Sequence, residues 1–236
     1  NYSIKIKKNN PNCKISIVFP LIKDQSLVQT FQQNNIKVIC ISGRKKNFIH
    51  YSKKLYKNLK EEKYDLIHIH GNSCLMVMDL LVCYFANAKV RIVHAHSTST
   101  DHPLLNRFLY PLFIRLSTEN FACSDMAGQW LFKKREYTVI RNGIVLEEYR
   151  YNKKIALLMK KHFNFKDDIV LGHIGQFDDN KNQIFLVELL KELNIINHYK
   201  LVLIGEGPNK KNVEQLVKEY NLNKFVIFTG NITNVN

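Results

Sequence analysis

The chain is 236 residues long, 45% hydrophobic and 23% charged, with 35 Lys and Arg against 20 Asp and Glu and a net charge of +15. This is an ordinary soluble globular composition, long enough for one large core or two smaller ones. No apolar run approaches the roughly 18 residues of a membrane span, and the N-terminus lacks the charged-then-apolar pattern of a secretory leader, so a cytoplasmic protein is expected.

In chain order, strand-like runs are CKISIVF (13–19), KVICIS (37–42), YDLIHIH (64–70), VRIVHAH (90–96), NFACS (120–124) and YTVIRNG (137–143). Helix-period segments lie over about 48–63, 73–86, 103–118 and 124–134 between the later runs. A polar connection, NGIVLEEYRYNKK (142–154), interrupts this rhythm. It restarts with IVLGHIG (169–175), a helix over about 181–194, KLVLIGEG (200–207), a helix over about 209–220 and FVIFTG (225–230).

Strand, turn and helix in alternation predict an α/β fold with parallel sheets, and the near-continuous apolar strands predict sheets covered on both faces. We divide the chain into domains 1–148 and 149–236. In doubly wound sheets ligands bind beyond the carboxyl ends of the strands, so two facing sheets would gather the strand ends HIHGNS, HAHSTS, IGQFDDNK and GEGPN around one cleft. A start without Met and an end soon after a strand-like run lead us to expect a fragment, with the second domain incomplete.

Cys13, Cys40, Cys74, Cys83 and Cys123 are odd in number, irregularly spaced and mostly inside apolar runs. That favours free thiols in a reducing compartment and argues against zinc. The charge is uneven: residues 1–150 hold 23 Lys and Arg against 11 Asp and Glu (+12), and residues 151–236 hold 12 against 9 (+3). The excess could serve an anionic membrane surface, an acidic substrate or nucleic acid, or simply coat helix surfaces as in KKLYKNLKEEK. Nucleic acid is set aside because no helix clusters arginines and no surface aromatics interleave with the charge.

His68 and His70 alternate at the end of one strand, followed by Gly71 and the candidate helix caps Asn72 and Ser73; His94 and His96 alternate at the end of the next. No carboxylate or cysteine stands at ligand spacing beside either pair, so no metal is expected. His68 and His94, deeper in their strands, read as structural, and His96 at the strand mouth is the better candidate for touching a ligand.

In the second half, Gly175-Gln176 leaves a strand, Asp178, Asp179 or Asn180 can cap the next helix, and Lys181 falls in its expected first turn. A helix N-terminus with one lysine suits a phosphate, and a plain capped connection reads equally well on local grounds. Gly205-Glu206-Gly207-Pro208 forms another tight turn, either an ordinary connection or a place where a nucleotide approaches the backbone. No G-x-S-x-G elbow, Walker A loop or zinc spacing occurs, and nothing marks Cys123 as a nucleophile.

Taken in order, YDLIHIHGNS (64–73), VRIVHAHS (90–97), FACSDMAGQWLF (121–132), VIRNGI (139–144), GHIGQFDDNKN (172–182), LVLIGEGP (201–208) and FVIFTGN (225–231) resemble the retaining glycosyltransferases of family 4, closest to bacterial capsular and exopolysaccharide enzymes. The resemblance implies a GT-B fold, two Rossmann-like domains facing across a cleft. It implies transfer of a sugar from a nucleotide-sugar donor, commonly a UDP-sugar, to a glycan or lipid-linked acceptor, with no cofactor and no required metal. It places His96 at the transferred sugar and Gly175, Gln176, Lys181, Gly205, Gly207, Thr229 and Gly230 at the donor.

Three departures qualify it. Gln176 stands where the family usually has Arg in a diphosphate clamp, Val145 stands where Asp usually follows the NGI sequence, and the family's first glycine-rich loop and its two-glutamate donor segment fall outside these residues. The rival expectation is a non-catalytic GT-B relic or partner subunit. The +12 half suggests peripheral attachment to an anionic inner membrane face.

Overall fold

The alternation of runs is realised as strands that all pair in parallel, in a computed structural model that describes residues 2–22, 25–44, 46–165 and 168–232. The chain divides into two compact units, Asn1–Ile144 and Val145–Asn236, where the sequence set the boundary at 148/149.

In the first unit the order is α1 (Tyr2–Asn9), β1 (Ser16–Phe19), α2 (Gln25–Gln33), β2 (Lys37–Cys40), α3 (Phe48–Glu62), β3 (Leu66–Gly71), α4 (Val77–Phe85), β4 (Val90–Ala95), α5 (Pro103–Leu116), β5 (Glu119–Ala122), α6 (Asp125–Phe132) and β6 (Thr138–Val139). β1 and β2 pair with each other, while β3-β4-β5-β6 form a separate sheet in sequence order. An apolar cluster joins the two: Leu55 and Leu59 of α3 and Val82 and Cys83 of α4 pack with Val18 and Ile39 of the pair and with Ile67 and Ile69 of β3.

The main core lies on one side of the larger sheet. Val93, Ala95 and Ala122 meet Leu80 of α4, Phe113 of α5, and Leu131 and Phe132 of α6, with the Phe113 and Phe132 rings stacked at 6.2 Å. A buried carboxylate ties α4 to its surroundings. Asp79 accepts from the Tyr51 hydroxyl at 2.9 Å and from the Arg44 guanidinium at 2.5 and 3.1 Å, which satisfies a charge that would otherwise be costly to bury.

The second unit runs α7 (Lys153–His162), β7 (Ile169–Ile174), α8 (Gln183–Ile196), β8 (Tyr199–Ile204), α9 (Lys210–Glu219) and β9 (Val226–Gly230), with strand order β7-β8-β9. Val187 and Leu190 of α8 and Val213 and Val217 of α9 pack on Leu201, Leu203 and Val226.

Two expectations need correction. Cover on both faces holds for the central strands, where Ile92 to Ala95 of β4 and Leu201 to Leu203 of β8 are all buried, and fails at the edge strands: Leu66, His68 and His70 of β3, and Val170, Gly172 and Ile174 of β7, are exposed. The helices of the main core pack against the opposite face of β3. Three helices, α1, α2 and α7, also went unanticipated. In α1 the alternation of Ile4 and Ile6 with lysines imitates a strand, and the helix buries none of its residues; the Tyr2 hydroxyl donates to the Arg141 carbonyl.

Helix ends show a recurrent device. α2, α4, α7 and α9 are followed by Asn35, Asn87, Asn164 and Asn221, all in the left-handed region with φ of 56, 64, 54 and 56°. In each case the next amide reaches back to the last turn, as in Ala88 N to Cys83 O at 3.0 Å and Leu222 N to Val217 O at 2.9 Å. All five cysteines are free thiols, as expected, with Cys74 and Cys83 buried.

Candidate functional site

In the second unit the carboxyl ends of the three strands are laced by backbone hydrogen bonds. Gly175 N donates to Ile204 O at 3.0 Å, Gly205 N to Gly230 O at 2.9 Å, and Phe177 N to Glu206 O at 3.1 Å. Gly205 has φ +138°, and a Cβ there would lie 2.1 Å from the Gly175 carbonyl oxygen; a Cβ at Gly207 would lie 2.4 Å from that of Phe177. The two turns therefore touch through bare backbone. They frame a hollow of about 310 Å³ lined by Ile174, Gly175, Gln176, Ile204, Gly205, Glu206, Asn231 and Ile232.

Of the sequence candidates, Gly175, Gln176 and Gly205 line this hollow. Gly207 supports it from beneath Phe177, and Gly230 closes the β9 end through its carbonyl. Thr229 turns its hydroxyl to the Gly230 carbonyl at 3.0 Å. Lys181 comes close by a route the sequence did not foresee. α8 starts only at Gln183, and the Lys181 amide is held by the Asp178 carboxylate at 3.1 Å in the turn before it. The lysine stem then crosses Gly175, where an added Cβ would sit 3.2 Å from its Cγ. The lysine stem thus reaches the turn after β7 from a loop and not from the first turn of a helix, which corrects the expected helix start near 181.

Gln183 and Glu206 were missed. Gln183 is 1% exposed and its Nε2 donates to the Gln176 carbonyl at 2.9 Å, holding that backbone in place. The signal was present in the sequence as a polar residue on the buried side of an apolar helix. Glu206 pairs with Lys210 at 2.6 Å, so its carboxylate, at the rim of the hollow, is neutralised by the following helix.

In the first unit the strand register joins what the sequence showed as two separate histidine pairs. His70 lies opposite His94 in the β3–β4 ladder, and His68, His70, His94 and His96 come together as one group of rings. His68 Nε2 lies 3.2 Å from His94 Nδ1, and His70 Nδ1 lies 2.8 Å from His96 Nε2. Phe121 stands edge-on to both His68 and His94. Desolvation, reinforced by the other rings, pushes His68 down to about 3 and His94 down to about 4. It lowers His70 and His96 as well, so the whole group is uncharged at neutral pH. His96 is exposed at the end of the group and hydrogen-bonded to His70, an arrangement that orients its ring.

The family model described as Glycosyltransferase Family 4 matches residues 17–148, and that of Glycosyl transferases group 1 matches residues 154–236. The chain belongs to glycosyltransferase family 4. This family 4 chain is 32% identical over 165 residues to EpsF of Bacillus subtilis (strain 168), assigned as a glycosyltransferase; the match covers 64% of the chain and 42% of EpsF. It is 24% identical over 192 residues to an Escherichia coli UDP-Gal:alpha-D-GlcNAc-diphosphoundecaprenol alpha-1,3-galactosyltransferase, covering 75% of the chain and 49% of that enzyme. The solved structure of Anabaena HepE with UDP and glucose superposes with a TM-score of 0.79 at 18% identity, over 98% of this chain and 65% of that one. These matches show the GT-B fold, and the chain spans less than half the length of the two relatives. Among the described residues no helix is long and apolar enough to cross a membrane.

Proposed function

We propose that this family 4 chain serves a retaining glycosyltransferase that moves a hexose from a UDP-sugar to a lipid-linked glycan in polysaccharide biosynthesis. One observation carries the donor part: the hollow at the carboxyl ends of β7, β8 and β9 is walled by glycine backbone, with Gln176 in its wall and the stem of Lys181 across Gly175. A diphosphate there meets the Gln176 side-chain amide and one full positive charge, and charge that develops on the leaving diphosphate is stabilised by groups already in place. His96 of the first unit orients the transferred sugar, and His70 fixes its ring. The reading needs no metal for transfer. The names of HepE's ligands and of the Escherichia coli enzyme's substrates support the donor and acceptor classes.

Gln176 is the weak point of the clamp and also the test. An arginine there would add a charge-assisted contact of about 1.5–3 kcal/mol, so Gln176→Arg is expected to tighten binding of UDP-glucose, UDP-galactose or UDP-N-acetylglucosamine by roughly ten- to hundredfold in calorimetry. If neither the native chain nor the variant binds any of them, the donor reading fails. If both bind with equal affinity and no transfer follows, the non-catalytic partner reading, favoured by Gln176 itself, takes its place.

The acceptor side is proposed to rest on anionic lipid in the cytoplasm. α5 leaves Leu104 and Phe108 83% and 80% exposed, with Arg107 beside them in sequence. Inserting two such side chains gains about 1.5–3 kcal/mol each. The double substitution Leu104→Ser, Phe108→Ser is expected to cut flotation with phosphatidylglycerol vesicles at least about tenfold. Flotation that is indifferent to the substitution or to anionic lipid removes this part.

A further inference from the structure

We propose that His68, His70 and His94 form a binding site for a divalent transition metal of the zinc, cobalt and nickel class, on the histidine-bearing face of the β3–β4 ladder. One nitrogen from each ring lies within 4.8 Å of the others. Ligands at about 2.0–2.1 Å around a tetrahedral ion stand about 3.3 Å apart. The 3.2 Å between His68 Nε2 and His94 Nδ1 already has that span. An all-imidazole set suits this class of ion and not magnesium, calcium or manganese, which take oxygen ligands.

The donors are also held in advance of any ion. They come from two adjacent strands in fixed register, His70 opposite His94, so binding orders no loop. His70 gives one ring nitrogen to His96 at 2.8 Å, which leaves its other nitrogen for an ion, and a ligand histidine bonded outward through its second nitrogen is the usual support of such a site. His94 is 3% exposed; its Nδ1 is the nitrogen that faces His68, and its Nε2, which has no partner among the described residues, is not counted among the ligands. Each pair lacks a third ligand along its own strand; the neighbouring strand supplies it. The site lies wholly in the first unit and does not rest on the donor reading.

The test is titration of EDTA-treated, dialysed chain with Co²⁺, followed by visible absorption. One equivalent is expected to develop tetrahedral d–d bands that Zn²⁺ bleaches, and His68→Gln, a change at an exposed ring edge, is expected to weaken the affinity at least about thirtyfold. His102→Gln, at an exposed histidine elsewhere, is expected to leave it unchanged. Bands that persist equally in His68→Gln, or are lost equally in His102→Gln, would place the ion elsewhere and overturn the proposal. A second readout needs no variant: Zn²⁺ should raise Tm of the native chain and Mg²⁺ should not. An unchanged Tm together with no cobalt spectrum also overturns it.

Discussion

Replacing Gly205 by alanine is expected to destabilise the second unit by about 3–5 kcal/mol and to abolish UDP-sugar binding. Two effects add. At φ +138° an L side chain is strained whatever the surrounding space, and the new methyl would stand 2.1 Å from the Gly175 carbonyl oxygen. That oxygen belongs to the backbone of the facing turn, so relief requires the β7 and β8 turns to part. Parting them breaks the bonds from Gly175 N to Ile204 O and from Phe177 N to Glu206 O, and these hold the hollow in shape. Urea denaturation of the native chain and the variant, with donor calorimetry on both, measures the two effects together. A variant of native stability that still binds UDP-sugar would show that the turns are not in contact.

Acid is expected to unfold the first unit before ordinary carboxylate titration would. An unfolded histidine takes up its proton near pH 6.5, whereas His68 and His94 in the fold resist it down to about 3 and about 4. Between those limits the unfolded chain binds more protons than the native one, so stability rises with pH. It is fully present above pH 6.5 and is lost progressively as pH falls towards 4. With His68 open to water along one edge, the group as a whole is expected to lose about 3 kcal/mol over that window. Urea midpoints at pH 7 and pH 4.5 in the presence of EDTA measure it, with His94→Phe as the comparison. The variant removes the buried titrating ring and should flatten the slope; parallel slopes would show that the native rings protonate as freely as unfolded ones.

The α/β alternation, the break near residue 145 and the glycines of the second unit were legible because each is a local pattern: period, turn chemistry and strand-end placement. What escaped was whatever depends on a neighbour distant in sequence. The β3–β4 register puts His70 beside His94, and no spacing within either run announces it. Gln183 looked like one more polar residue at a helix start, yet it is buried under the Gln176 carbonyl. Lys181 was placed in a helical turn because Asp178 and Asn180 are good caps; the left-handed Asn182, φ 46°, delays the helix by two residues. α1 went unanticipated because its alternating isoleucines and lysines lack a helix's period.

The asparagines that close α2, α4, α7 and α9 bear on the scarcity of glycine in the sequence, which holds only 9 in 236 residues. Apart from glycine, asparagine is the residue that enters the left-handed region most readily, because its short amide can bond locally. A helix end closed by asparagine therefore needs no glycine, and asparagine there also narrows the wandering of the unfolded chain. At Gly205 and Gly207, where bare backbone faces bare backbone, asparagine has no such room. Gly205 and Gly207 therefore mark contacts, and the left-handed asparagines mark only bends.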